Sequence, residues 1–160
     1  MEYAESIRDG RKIACQELRQ AVERFFRDLE NPDYEMDAKG PEFCIGIIEK
    51  TLCHQQGEKL DGTPLRGTPF LLEDFYKFVI YNLLGFKLAG TDVVRYHEAL
   101  IFIPRKNIKT SFAAAFSWAL SLWYRRSGSK MYIASAALMQ SLESFNFLNY
   151  NIRRNRFVVM

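Results

Sequence analysis

The amino-acid sequence predicts an α/β chain: an N-terminal helical segment followed by the beginning of a parallel sheet in the order βαβαβ. Two observations carry this. Apolar residues recur at helical spacing through the first part of the chain, and two short apolar runs, Glu98–Ile103 and Met131–Ala134, flank a helical stretch later on. A strand covered on both faces reads as a nearly continuous apolar run, and strands joined through helices close right-handed crossovers.

The elements follow in order. Ala14, Leu18, Ala21, Val22, Phe25 and Leu29 share one helical side, with Arg19, Glu23 and Arg27 turned away, and Asn31-Pro32 closes that helix. A second helix begins near Pro41 and carries Cys44, Ile47, Ile48, Thr51 and Leu52 on one side. Gln55 to Pro69 holds three Gly and two Pro, a loop composition. A third helix runs from about Glu73 to Leu84, with Phe75, Phe78, Val79 and Leu83 as its apolar side and Gly85 as its stop. Pro104 closes the first apolar run, and Arg105 to Ile108 form a polar turn. A helix then runs from Lys109 to about Tyr124. Ser127-Gly128-Ser129 turns the chain into the second run. The next helix carries Leu138, Leu142, Phe145, Leu148 and Ile152, and Arg156–Met160 begins a third strand. This divides the chain into a helical segment over 1–90 and the start of the sheet domain over 91–160. The sheet is still being built at residue 160, so the expectation is a truncated domain.

Composition removes several classes. With 48% hydrophobic and 14% aromatic residues the chain has material for a real core. Its longest apolar stretches, Phe112–Trp123 and Met131–Met139, are too short and too interrupted to span a membrane. Met1–Gly10 carries acids and lacks the apolar region of a secretory signal. Cys15, Cys44 and Cys53 are odd in number and unpatterned, which fits a reducing cytoplasm better than a disulfide framework. Cys53-His54 lacks a second ligand pair, so no structural metal is expected. A net charge of +3 permits contact with nucleic acid without arguing for it.

The segment that carries chemistry is Ile103 to Thr110. A buried strand delivers a short turn, and a helix opens with Lys109-Thr110. A helix N-terminus offers unpaired backbone N–H groups and a positive dipole end; a lysine there reaches terminal phosphates, and a Ser/Thr hydroxyl joins a magnesium shell. The usual pattern places Gly at both ends of the turn, whereas here Ile103 and Ile108 stand at those positions. The bland reading is solvated charges at a strand end, with Thr110 as a helix cap. Ala113, Ala114 and Ala115 let the following helix pack close to a sheet. A β-branched residue resists positive φ, so Ile108 is expected at negative φ, on a wider loop path, with its side chain toward the core.

Arg105-Lys106-Asn107, followed after Ile108 by Lys109-Thr110, resembles the deviant Walker A loop of tailed-phage large terminases. The resemblance covers most of Tyr3 to Phe147 in order. It takes in Tyr34–Asp37, Leu52–Gly57 with His54, Thr68–Glu73 through Asn82–Phe86, and Met131–Ser135 followed by Gln140. It implies a P-loop NTPase core over 91–160 and an ATPase motor that packages DNA. ATP and Mg2+ would be the cofactors, with an endonuclease domain beyond this segment. Lys109 would contact the β- and γ-phosphates and Thr110 would help hold Mg2+. Arg105 would stabilise charge on the transferring phosphate, and Lys106, Asn107 and Ile108 would supply backbone N–H groups. Tyr76, after Phe75, stands where the family commonly has an adenine-reading Gln, and a Tyr ring can stack on a base without reproducing the amide's paired hydrogen bonds. The implied partners are double-stranded DNA, the small terminase subunit and the capsid portal, in a ring formed only in the full assembly, within the host cytoplasm. The acidic pair that positions Mg2+ and water is expected on a later strand, outside this chain, so the fragment alone is expected to bind nucleotide weakly and to hydrolyse it poorly.

Two other readings stay open: a non-enzymatic helical adaptor with a degenerate loop, and another P-loop ATPase such as a helicase. An apolar strand ending in Asp-Glu beyond Met160 would separate the motor from the adaptor. His54 and His97 read as packed or surface histidines, Gln140 as a polar helix start, and Arg153–Arg156 as a solvated basic helix end that also suits a DNA backbone.

Overall fold

The computed structural model describes residues 2–104, 107–124 and 130–155. Its elements are α1 (Glu2–Arg8), α2 (Gln16–Glu30), β1 (Tyr34–Met36), α3 (Lys39–Thr51), α4 (Asp74–Gly85), β2 (Phe86–Leu88), α5 (Lys109–Tyr124) and α6 (Leu138–Arg154). The chain is thus mixed α/β, in two compact units: Met1–Glu42 with Leu72–Leu100, and Phe43–Leu71 with Ile101–Met160. No helix among the described residues is long and apolar enough to cross a membrane.

In the first unit the amphipathic stripe of α2 does what its spacing predicts. Val22 and Phe25 are buried with Ala4 and Ile7 of α1, Phe78 of α4 and Phe86 of β2, while Ala14, Leu18, Ala21 and Leu29 pack around them. The Phe25 ring meets those of Phe78 and Phe86 edge-on, with centroids 5.4 Å away in each case. Such edge contacts add about 0.5–1.5 kcal/mol beyond the area they bury. β1 and β2 pair antiparallel, Tyr34 against Leu88 and Met36 against Phe86, as the one sheet of the described residues. Three residues are too few to show a period of two, which is why the sequence did not announce them. Two polar links hold the rim: Lys87 Nζ donates to Asp37 Oδ2 at 3.0 Å, and the Arg95 guanidinium pairs with buried Asp28 while lying 4.1 Å over the Tyr34 ring.

The expected face of α4 needs correction. Tyr76, Ile80 and Leu84 are buried with Phe78, whereas Phe75, Val79 and Leu83 are only half-buried. This helix is apolar nearly all round, so periodicity could not select a face. Gly85 does end α4, and the flexible end of the Met36 side chain packs close over it. A Cβ there would fall 2.7 Å from Met36 Sδ, and Gly85 lacks the positive φ of a C-terminal glycine cap.

In the second unit α5 packs on α6, and the buried residues of α5 are Phe112, Ala114, Ala115 and Ala119. The buried stripe of α6 is Ser144, Phe147 and Asn151, and the expected Leu138 and Phe145 are exposed. The Gln55–Pro69 region is a loop, as its composition predicts, folded back on itself. The His54 N–H donates to the Thr68 carbonyl, the Gly67 N–H to that of His54 and the Leu65 N–H to that of Gly57, at 2.8–2.9 Å, and Phe70 is fully buried at its end.

The two apolar runs expected as parallel strands are not regular strands. Glu98–Ile103 and Met131–Ala134 have no ladder partner among the described residues, and Leu100, Phe102 and Tyr132 are largely exposed. A strand is defined by its pairing, so an apolar run supplies the propensity but not the ladder. The third run, Arg156–Met160, lies outside the described residues.

Candidate functional site

The first helical hydrogen bond of α5 runs from the Phe112 N–H to the Ile108 carbonyl at 2.8 Å. Ile108 is therefore the residue that opens the helix, and Thr110 sits within the first turn rather than capping it. The backbone of Ile108 has φ +43°, the left-handed region, the single such non-glycine residue among those described. This overturns the wider path at negative φ expected for it. The turn adopts the conformation for which the usual pattern provides Gly, and Ile108 bears the cost of about 1–2 kcal/mol. Because Ile108 has no polar side-chain atom, it cannot itself cap the N–H groups of the first turn.

Around this turn, Asn107 Nδ2 donates to the Pro104 carbonyl at 3.2 Å, and Lys109 Nζ donates to the Ile103 carbonyl at 3.2 Å. Lys109 is exposed and Thr110 half-buried. Both face a cleft of ≈ 730 Å³ within the second unit, lined by Asn107 to Ser111, by His54 to Gly57, and by Glu143, Asn146 and Phe147. That volume lies within the range of about 300–1,000 Å³ usual for small-molecule sites. Among the described lining residues Lys109 is the one lysine or arginine and Glu143 the one carboxylate. Burial pushes the His54 imidazole below its ordinary pKa, so it faces the cleft neutral at pH 7.

Of the residues singled out from the sequence, Asn107, Ile108, Lys109 and Thr110 come together on this cleft. Arg105 and Lys106 lie outside the described residues. Phe75 and Tyr76 belong to the first unit. Their rings contact each other edge-on at 5.4 Å, and Tyr76 is 3% exposed, so its ring face is taken up by packing. His97 and Gln140 are exposed and do not line the cleft. In the basic helix end, Arg153 Nε donates to Asn149 Oδ1 at 3.0 Å and Arg154 Nη2 to the Gly67 carbonyl at 3.4 Å, so both are engaged locally. Buried Cys44 has its thiol pushed up to about 12, which makes it an inert core residue.

The sequence reading missed the opposite wall of the cleft. His54 reads as a packed histidine and in part is one: its ring lies 4.9 Å from Phe70, whose ring lies 5.2 Å from Phe147. Gln55 and Gln56 fall in segments read as a loop and as part of the resemblance, and Glu143 and Asn146 are not singled out. The available signal was Asn151, a polar residue placed one helical turn after Phe147 on the buried side of α6.

Comparison of the chain with protein-family models, with curated proteins and with solved structures gave no match.

Proposed function

We propose that the chain is the N-terminal part of a tailed-phage large terminase, an ATPase motor for DNA packaging, and that its Lys109 turn binds the triphosphate of Mg·ATP. The observation that carries this reading is the left-handed Ile108 directly ahead of Lys109-Thr110, opening α5 onto a nucleotide-sized cleft. A strained backbone that brings a helix N-terminus, a lysine and a hydroxyl together is costly for a mere connecting turn, and it suits phosphate.

In this reading Lys109 moves from the Ile103 carbonyl to the β- and γ-phosphates. Arg105, from the same turn, offsets charge on the transferring group, and Lys106, Asn107 and Ile108 contribute backbone N–H groups. The donor set fits magnesium in the way P-loop sites hold it: the Thr110 hydroxyl with phosphate oxygens and water, rather than a cage of carboxylates. No group of three or more His, Cys, Asp or Glu among the described residues forms such a cage. Magnesium bound there would neutralise phosphate charge. Glu98–Ile103 and Met131–Ala134 are proposed as the first strands of a parallel P-loop sheet, which accounts for their apolar character. Double-stranded DNA, a small terminase subunit and a portal are the partners the resemblance implies, in the host cytoplasm.

The test is titration of the chain with Mg·ATP against a Lys109→Ala variant. Loss of the charge-assisted phosphate contacts should weaken binding by roughly 10- to 150-fold, equivalent to about 1.5–3 kcal/mol. Equal binding by both proteins, or by neither, would leave the helical adaptor as the better account.

A further inference from the structure

The wall of the cleft facing the Lys109 turn has an unusual support. Asn151 of α6 is 1% exposed, yet its side chain is fully used. Its Oδ1 accepts from the Cys53 N–H at 2.7 Å, and its Nδ2 donates to the Cys53 carbonyl at 3.1 Å and to the Phe147 carbonyl at 3.0 Å. One amide thus reads both backbone groups of a residue 98 positions away, as a neighbouring strand would. Asn155 adds a bond from Nδ2 to the Thr51 carbonyl at 2.5 Å, and Phe70 seats on Phe147 from the far end of the same loop. The segment His54–Gly57 begins directly after the clamped Cys53, and α6 supplies both the clamp and the cleft residues Glu143, Asn146 and Phe147.

The chemistry of this wall differs from that of the turn opposite. It offers the amides of Gln55, Gln56 and Asn146, a neutral imidazole and one carboxylate, and among the described residues no lysine or arginine. A carboxylate repels phosphate, and amides pair donor with acceptor on one plane, which suits base edges and ribose hydroxyls. We infer that His54–Gly57 is the nucleoside-recognising wall of the cleft, with Gln55 and Gln56 determining specificity and Asn151 as the positioning residue that fixes them. This rests on the triphosphate lying at the Lys109 turn. It also places base recognition in a loop of the second unit rather than at Phe75 and Tyr76.

The experiment compares two ligands, Mg·ATP and inorganic Mg·tripolyphosphate, by calorimetric titration of the whole chain. Wild type should bind Mg·ATP the more tightly. The double variant Gln55→Ala/Gln56→Ala and the isosteric Asn151→Asp, which keeps the acceptor but loses both donors, should each lose about tenfold for ATP. Both should hold their tripolyphosphate affinity, whereas Lys109→Ala should lose both ligands. If wild type binds tripolyphosphate as tightly as ATP, or the glutamine variant keeps its ATP affinity, the inference is overturned while the phosphate reading stands. The same holds if Asn151→Asp loses both ligands and the glutamine variant loses neither. If wild type binds neither ligand, the phosphate reading itself fails and takes this one with it. Should Asn151→Asp not fold, the glutamine variant decides alone.

Discussion

The ammonium of Lys109 rests on the carbonyl of Ile103, six residues back across the turn, at 3.2 Å. Both partners are near solvent, so water competes for this bond and it contributes little to the fold. The same lysine, moved to a phosphate, makes charge-assisted bonds roughly twice as strong as neutral ones. Binding and stability should therefore separate at this residue. Lys109→Ala is expected to unfold in urea within about 0.5 kcal/mol of wild type while losing its affinity for Mg·ATP. A large drop in stability would make Lys109 a structural residue.

Ile108 gives the opposite test, since its backbone is strained and its side chain carries no phosphate contact. Glycine takes φ +43° without penalty, although it also makes the unfolded chain more flexible and removes a half-buried side chain. Ile108→Gly should change stability by less than about 1 kcal/mol, because the relieved strain is offset by those losses, and leave Mg·ATP affinity at or above wild type. A loss of 1 kcal/mol or more in urea denaturation would contradict the left-handed conformation.

Helix content was legible because α2, α3, α5 and α6 carry apolar positions at helical spacing, and Lys109-Thr110 opens its helix where the turn chemistry placed it. Faces were harder. Asn151 is polar, so a binary reading turns it outward and rotates the expected stripe of α6 toward Leu138 and Phe145. Only the two free backbone groups of Cys53, from a loop 98 residues earlier, make its burial favourable. The conformation of Ile108 was misjudged for a related reason. Local preference forbids it, and the tertiary path of the turn imposes it. The segment His54–Gly57 entered only through its loop composition and the resemblance and was not read as a cleft wall, because polar loop residues have no sequence period.

Stability should fall on the acid side in two windows. The Asp37 carboxyl is held below its usual range, first by the Lys39 backbone N–H and then by Lys87. A depressed carboxylate stabilises the fold above its unfolded value near pH 4, and the contribution is lost as pH falls through the lower folded value. His54 is depressed by burial, so below about pH 6.5 the unfolded chain takes up its proton more readily and stability drops from there downward. Asp37→Asn should flatten the slope below about pH 4 alone, and His54→Asn the slope below about pH 6.5 alone. Urea midpoints across pH 3 to 8 check both, and a slope unchanged in either variant would remove that group from the account.

Asp28 and Arg95 form an ion pair with little exposed surface in the first unit. The side chains are 6% and 18% exposed, so both charges have given up most of their water. Arg95 also lies over the rings of Tyr34 and Tyr96, at 4.1 and 4.8 Å, which leaves it little freedom to find another partner. Desolvation makes the intact pair a modest net contributor, while removal of one partner strands the other charge. Arg95→Met should therefore cost about 3–5 kcal/mol, because it leaves the Asp28 carboxylate buried and alone. Asp28→Asn should cost less, since a cation that is more exposed recovers some hydration. The double variant should be more stable than the sum of the two losses by roughly 1–3 kcal/mol, as a coupled pair requires. Urea denaturation of the four proteins gives that coupling directly. Additive losses, or single losses under about 1 kcal/mol, would place the pair with exposed surface bridges and leave the first unit held by its Phe25, Phe78 and Phe86 packing.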